Sequence, residues 1–268
     1  AAHEPVGVGW IRSGVVEAVH CEKPMALTWG GARRMAQEAT RNDVLLTFNH
    51  QRRFGRPFRR AKELLDAGEI GELERVEFSA SNVYDYGSHS FDLANYYADH
   101  PTPAWVLAGI DYREENLFFG AHNENHAVVQ WAYENGVTGL ATTGVGAGTI
   151  DCHNRLVGSG GVVEVGRESD SGEGVLRVRR DGDGWESLDT NGEGLHSDEY
   201  IYRAVADVVE AVDTGEPSEL SAENALDATE IIFGAWESAR RRGRVEFPLE
   251  IDDNPLEAMV ESGDLDPE

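Results

Sequence analysis

The sequence predicts an α/β chain in which a short parallel strand–helix–strand unit precedes a larger, mostly antiparallel sheet and two helices. Two apolar runs, at residues 15–21 and 44–48, enclose a segment with helical spacing. Short alternating segments separated by glycine-rich turns then fill residues 73–187. Two long amphipathic segments close the pattern, so strands and helices are expected to segregate in the second part.

The first unit is built from strand signals on either side of a capped helix. Residues 15–21 read as a buried strand that stops before Pro24, because proline cannot continue regular structure there. Thr28 is expected to cap a helix through about residue 41. Residues 44–48 give the second strand, and the order strand, helix, strand favours a parallel pair.

The rest of the chain alternates between helix and strand patterns. Residues 57–68 show an amphipathic helix that ends at a glycine, and the alternating segments that follow lie at 127–133, 139–143, 161–165 and 174–179. Helices are then expected at 196–214 and 221–242, each followed by glycine. The first of them should bury one apolar face, made of Ile201, Ala204, Val205, Val208, Val209 and Val212. The acidic residues 252–268 are expected to be a flexible tail.

Composition sets the class of protein. The 268 residues carry 49 acidic and 23 basic side chains, a net charge of −26, and 40% hydrophobic residues, enough for a core despite the charge. Only Lys23 and Lys62 are lysines. An acidic, lysine-poor surface suits high salt, where screening removes self-repulsion, so a halophilic source is expected. The chain has no basic stripe for a nucleic acid.

The remaining compositional signals favour a soluble cytoplasmic chain with no membrane partner. No run of eighteen apolar residues occurs, and the first residues lack the basic and then apolar pattern of a signal peptide. Cys21 and Cys152 are too few for a disulfide framework or a thiolate zinc site.

The first candidate for chemistry is Lys23, in the segment Glu22-Lys23-Pro24. It follows the first predicted strand, and ligands of open α/β sheets bind at the carboxyl ends of strands. In a chain that has almost no other lysine, a compact ammonium with rotatable donors is the distinguishing property of this side chain. The alternative is a surface lysine beside a turn proline.

The second candidate is a cluster of acid and imidazole side chains at residues 85–92. If a helix starts near residue 88, Asp85 and His89 come together at its start and Asp92 lies one turn further on. A carboxylate beside an imidazole orients the ring and stabilises its protonated form, as suits a general base. The alternative is a capping aspartate and a packed histidine.

The remaining motifs give weaker evidence of function. Asn49 and Arg53 follow the second strand and can line the same crevice, although adjacent arginines are more often solvated. His122 and His126 lack the spacing and the third ligand of a zinc site, so no metal is expected. No GxGxxG loop lies between a strand and a helix, and the chain therefore has no recognisable dinucleotide fingerprint.

Taken together, these segments resemble the Gfo/Idh/MocA family of NAD(P)-dependent oxidoreductases. The matching pieces occur in family order over about residues 1–250: Glu22-Lys23-Pro24, Phe48-Asn49 with Arg52-Arg53-Phe54, Gly68-Glu69-Ile70-Gly71, Asp85 with His89 and Asp92, and Gly243-Arg244-Val245-Glu246-Phe247-Pro248. The resemblance implies the carboxyl-terminal part of a Rossmann domain at residues 1–72, an α+β substrate domain at 73–251, and the tail at 252–268. It also implies a haloarchaeal member whose first strands and glycine-rich loop are missing.

The resemblance also implies roles for the residues. Lys23 would contact the reacting hydroxyl, His89 would accept its proton as hydride passes to NAD or NADP, and Asp85 would hold substrate and base in register. Glu22, Lys23, Pro24, Asn49 and Arg53 would lie at the cofactor, while Asp92 would be structural. The substrate would be a sugar or polyol and the protein a homo-oligomer. The alternative is a non-catalytic sugar-binding or regulatory relative that has lost its cofactor.

Overall fold

The computed structural model describes residues 2–118, 120–166 and 174–268. The chain begins with the helix α1 (His3–Ile11). The predicted strand–helix–strand unit follows as β1 (Ala18–Cys21), α2 (Trp29–Asn42) and β2 (Leu45–Phe48). The two strands pair in parallel, with Ala18 opposite Leu45. The Thr28 hydroxyl accepts a hydrogen bond from the Gly31 amide, so this side chain caps α2 as expected.

The second part is a nine-stranded sheet. Its strands are β3 (Leu73–Ala80), β4 (Pro103–Asp111), β7 (His126–Tyr133), β8 (Thr138–Thr143), β9 (Asn154–Gly158), β10 (Gly161–Val165), β11 (Leu176–Arg180), β12 (Glu186–Ser187) and β13 (Val245–Glu246). Between β4 and β7 in the sequence, β5 (Leu117–Phe118) and β6 (Ala121–His122) form a separate small hairpin. The sheet order is β12-β11-β10-β9-β3-β8-β7-β4-β13. Within this sheet β3 and β8 run parallel, and the other neighbouring pairs of its described strands are antiparallel, which confirms the mostly antiparallel sheet.

Five further helices surround this sheet. They are α3 (Arg56–Asp66), α4 (Gly87–Tyr97), α5 (Asp198–Thr214), α6 (Ala222–Arg241) and α7 (Pro255–Ser262), and a short 3₁₀ helix covers Gln51–Phe54. α4 and α6 pack against one another and on the sheet. Phe78 of β3 meets Phe91 of α4 edge to face at 4.8 Å, and both contact buried Trp131 of β7. This aromatic core fixes α4, whose first turn carries the candidate base.

Two sequence predictions on the second part need correction. Of the apolar face expected on α5, Ala204 and Val208 are buried, whereas the neighbouring Val205 and Val209 stay exposed. The helix packs by a narrower stripe than periodicity alone indicated. The expected flexible tail instead contains α7, which Asn254 caps and whose Leu256 is buried.

Some elements carry no clear signal in the sequence. β4 and β9 lie within the sheet, but the sequence analysis predicts neither of them. Among the described residues, no helix combines the length and the apolar character needed to cross a bilayer.

The tightest packing that the sequence imposes on the sheet is at Gly139 of β8. A Cβ built there would lie 1.9 Å from the Trp131 ring, which is fully buried. We expect Gly139→Ala to lower the free energy of unfolding by about 1–3 kcal/mol, since the ring must move within the aromatic core. Chemical denaturation in high salt measures the change. Gly109→Ala on β4 is the matched control, because nothing lies within 4 Å of its Cβ position, and an equal loss of stability in both variants would contradict the packing argument.

Candidate active site

Lys23 and Asp85 form an ion pair between the two parts of the fold. Lys23 lies just beyond the carboxyl end of β1, and Asp85 lies in the turn before α4. The Lys23 Nζ donates to the Asp85 carboxylate at 2.7 Å and to the Asp85 carbonyl at 3.0 Å. Their side chains are 17% and 10% exposed, so the pair is largely withdrawn from water. The ion pair joins residues that lie 62 positions apart in the sequence.

The turn that carries Asp85 is itself held by two buried polar side chains. The Asn82 Oδ1 accepts from the amides of Asp85 and Tyr86, at 2.8 and 3.0 Å. Glu124 is fully buried and accepts from the Val83 amide at 2.6 Å. Sequence analysis missed both residues, although an asparagine three positions before Asp85 is the ordinary signal for an Asx turn.

His89 lies in the first turn of α4 and is 5% exposed. Burial lowers the pKa of its imidazole well below the usual value, and the charges of Arg52, His50, Lys23 and His153 lower it further. The Asp85 carboxylate is used by Lys23 and does not offset this. The expectation that Asp85 stabilises a protonated His89 is therefore wrong: the ring is held neutral, and its Nδ1 is buried without a hydrogen-bond partner among the described residues.

A second ion pair lies behind this histidine. The Arg53 guanidinium binds the Asp92 carboxylate with both Nε and NH2, at 3.0 and 2.6 Å, and donates to the Glu219 carbonyl at 2.8 Å. The His50 Nδ1 lies 3.2 Å from the same carboxylate. Burial alone would raise the pKa of Asp92, but Arg53 and His50 together lower it to about 2. Asp92 is thus an ionised structural residue.

The predicted cofactor residues divide into two groups. Glu22, Lys23 and Pro24 line one cavity, and the Asn49 Nδ2 reaches this loop by donating to the Glu22 carboxylate at 2.7 Å. Arg53 is different, because it is 1% exposed and its donors face Asp92 and a carbonyl. Arg53 therefore has little exposed surface with which to contact a ligand. The adjacent Arg52 lies over the Tyr86 ring, close enough to His89 to lower the pKa of that imidazole.

The cavity beside the Lys23–Asp85 pair has a volume of about 440 Å³. Its polar side carries Glu22, Lys23 and Asp85, and its apolar wall is made of Pro24, Leu27, Tyr84, Phe118 and Ala121. A larger depression of about 1120 Å³ lies at the opposite, amino ends of β1 and β2. Because open α/β sheets bind ligands at the carboxyl ends of their strands, we assign the site to the smaller cavity.

The remaining histidines of the sequence analysis have other partners. The His122 Nδ1 lies 2.6 Å from the Tyr112 hydroxyl, and the His126 Nδ1 lies 2.8 Å from the Thr143 carbonyl. No cluster of three potential ligands among His, Cys, Asp and Glu occurs in the part of the chain that the structure describes.

Comparison with known sequences gives partial matches, and no family model matches the chain. Myo-inositol 2-dehydrogenase of Thermotoga maritima is 28% identical over 137 residues, which is 46% of this chain and 41% of that enzyme. An uncharacterized oxidoreductase of Schizosaccharomyces pombe is 34% identical over 95 residues, 28% of this chain and 26% of that protein. The chain spans less than half the length of the curated relatives it matches.

Solved structures share the fold over most of the chain. An NAD-binding oxidoreductase from Klebsiella pneumoniae superposes with a TM-score of 0.77 and 19% identity, covering 93% of this chain and 78% of that one. An inositol dehydrogenase homologue from Azotobacter vinelandii, complexed with NADH and myo-inositol, gives 0.72 and 17%, covering 92% and 76%. The α/β fold with a large sheet is therefore that of NAD-binding oxidoreductases.

The Arg53–Asp92 pair generates a stability prediction. We expect Asp92→Asn to lower the free energy of unfolding by about 3–5 kcal/mol, because Arg53 is then left buried with no compensating charge. The pKa of Asp92 is lower in the folded state than when unfolded, so its contribution is full above about pH 4 and is lost as the pH falls towards 2. Chemical denaturation at several pH values measures both effects.

The control for this prediction is Asp252→Asn. Asp252 pairs with Arg33, but its side chain is 84% exposed, so the substitution should cost less than about 1 kcal/mol. Equal costs for the buried and the exposed aspartate would show that the Arg53–Asp92 pair has no special weight.

Proposed function

We propose that the chain is the substrate-handling part of an oxidoreductase that transfers hydride between a nicotinamide cofactor and a hydroxyl of a sugar or polyol. The observation that carries this proposal is the Lys23 ammonium, held by Asp85 beside a buried, neutral His89. The partial match to a myo-inositol dehydrogenase and the fold shared with an NADH and myo-inositol complex support it.

Lys23 supplies the positive charge that the reaction needs. Oxidation of an alcohol places negative charge on the oxygen as its proton leaves, and a preoriented donor stabilises that charge. The Lys23 Nζ already points its donors at the Asp85 carboxylate and carbonyl, and Nζ has three donors, so one is left for a substrate oxygen. Asp85 holds the ammonium in place and provides an acceptor beside it.

His89 supplies the base. A general base must be unprotonated at the working pH, and burial together with nearby positive charges keeps this imidazole neutral. The same surroundings disfavour the positive charge that His89 gains when it accepts the hydroxyl proton. His89 therefore releases this proton readily. The proton thus moves from the substrate oxygen to His89 while Lys23 holds the oxygen.

The cavity fits the nicotinamide end of a cofactor. Its apolar wall of Pro24, Leu27 and Phe118 suits a flat ring, and its polar side carries Lys23 and Asp85. A bound nicotinamide accepts or gives the hydride. Glu22 and Pro24 would hold it, with Asn49 supporting Glu22. No residues of this chain form the glycine-rich loop that cradles a pyrophosphate, so its sequence does not distinguish NAD from NADP.

We also propose that residues 1–72 are one part of a dinucleotide-binding domain. Within the described residues β1 pairs only with β2, so its other edge is open. Val6 and Trp10 of α1, which packs beside β1, are 55% and 53% exposed, and Val205 and Val209 of α5 are exposed as well. Further parallel strands with their helices would cover such surfaces. We further propose that the protein is homo-oligomeric, that it is cytoplasmic and that its source is haloarchaeal.

The cofactor separates this proposal from the alternative of a non-catalytic relative. We expect NADH or NADPH to quench the fluorescence of the chain's six tryptophans in high salt, because Trp29 begins the helix that follows the proposed cofactor loop. No quenching at millimolar NADH or NADPH would support the non-catalytic relative.

Lys23→Met tests the role of the ammonium. We expect this substitution to reduce turnover by at least about 100-fold while cofactor affinity changes little, because the charge acts on the developing alkoxide. Steady-state rates with a polyol panel and the fluorescence titration measure the two effects. Lys62→Met is the matched control at the other lysine, which pairs with Asp66 and Asp99, and should retain turnover. An unchanged rate in Lys23→Met would refute the role.

The exposed apolar surfaces predict association of the isolated chain. We expect light scattering in high salt to show oligomers, because an open strand edge and exposed apolar side chains seek partners. Replacing Val205 and Val209 by glutamate should shift the distribution towards smaller species. A stable, compact monomer of the unmodified chain would count against the open edge.

A further inference from the structure

His50 is a second imidazole at the site, and the proposed chemistry gives it no role. It follows β2 at the start of the 3₁₀ helix and is 3% exposed. Its ring meets the His89 ring edge to face, with 5.8 Å between the centroids and an angle of 74° between the planes. A buried imidazole at this distance from the proposed base constrains where that base can lie.

The protonation of His50 Nδ1 follows from its partner. This nitrogen lies 3.2 Å from the Asp92 carboxylate, which Arg53 also binds through two donors. An ionised carboxylate has no proton to donate. The Nδ1 of His50 therefore carries the hydrogen, and the ring is fixed in one tautomer and orientation by Asp92 and Arg53.

The His89 ring has no such anchor of its own. Its Nδ1 is buried without a hydrogen-bond partner among the described residues, so no carboxylate or carbonyl sets the orientation of the ring from that side. Among the described residues, the aromatic ring in contact with His89 is that of His50, and this edge contact restricts rotation of the His89 ring. We propose that His50 is a positioning residue for His89, with Asp92 and Arg53 acting through it. This inference rests on the proposed function, in which His89 is the base.

The charges around His89 are consistent with this role. Lys23 faces it from the loop after β1, Arg52 from the 3₁₀ helix and His153 from the segment before β9, and each lowers its pKa after burial, as His50 does. The two nearby carboxylates are engaged elsewhere, Asp85 by Lys23 and Asp92 by Arg53. His50 is thus one of the groups that lower the pKa of His89, and replacing its imidazole removes that contribution.

The test uses two variants that divide the properties of His50. His50→Phe keeps a ring against His89 but removes the nitrogen that donates to Asp92. His50→Asn keeps a donor near the Nδ1 position but removes the ring. NMR of ¹⁵N-histidine protein in high salt follows the His89 titration, assigned by comparison with His89→Gln among the nine histidines.

We expect the His89 midpoint to rise in both variants, because both remove the imidazole of His50, one of the groups that lower the pKa of His89. We expect the His89 resonance to broaden only in His50→Asn, because only this substitution removes the ring that packs against His89. If the chain turns over a polyol, the acid limb of kcat/KM should move to higher pH by the same amount. An unchanged midpoint and line width in both variants would overturn the inference.

The unmodified protein provides a test that depends on neither variant folding. Its NMR spectrum should show a nuclear Overhauser effect between ring protons of His50 and His89, since the two rings meet edge to face with 5.8 Å between their centroids. The absence of this effect would overturn the inference as well. None of these NMR measurements needs cofactor or substrate, so a chain that binds no NADH refutes the proposed function while leaving the positioning role to be decided by the titration.

Discussion

The ion pair between Lys23 and Asp85 is the interaction on which the candidate site depends. It joins the loop beyond β1 to the turn before α4, and it is largely withdrawn from water. Burying two charges is costly unless their remaining hydrogen-bonding groups are satisfied. Lys23 uses a second donor on the Asp85 carbonyl, and the Asn82 side chain fixes the turn by accepting from the Asp85 amide. The pair is therefore fixed in geometry, which a charge that must meet a developing alkoxide requires.

A consequence of this pairing is the neutral state of the base. Each carboxylate near His89 is matched to a cation: Asp85 to Lys23, and Asp92 to Arg53. The imidazole is left among the positive fields of its neighbours in a buried position, and its pKa falls. The two functions of the site thus belong to different residues. Lys23 is positively charged and stabilises negative charge on the substrate oxygen, whereas His89 is neutral and receives a proton.

Local chemistry explains what the sequence could predict. The Thr28 cap, the strand at 161–165 and the parallel order of β1 and β2 follow from turn residues and periodicity alone. The resemblance implies that Lys23 and Asp85 act at one site, but it does not predict the ion pair between them. The charge of His89 could not be predicted either, since it depends mainly on burial of the ring and also on the pairing of Asp85 with Lys23, 62 residues away. Likewise, exposure of Val205 depends on what packs against α5, and helical periodicity cannot show how wide the covered stripe is.

The most direct test is a crystal structure of the chain grown with NADH and a polyol such as myo-inositol. We expect one substrate hydroxyl within hydrogen-bond distance of both the Lys23 Nζ and the His89 ring. The carbon that carries this hydroxyl should face the nicotinamide, which should lie in the cavity lined by Leu27 and Phe118. A polyol whose hydroxyls contact neither Lys23 nor His89, with the nicotinamide bound elsewhere, would contradict it.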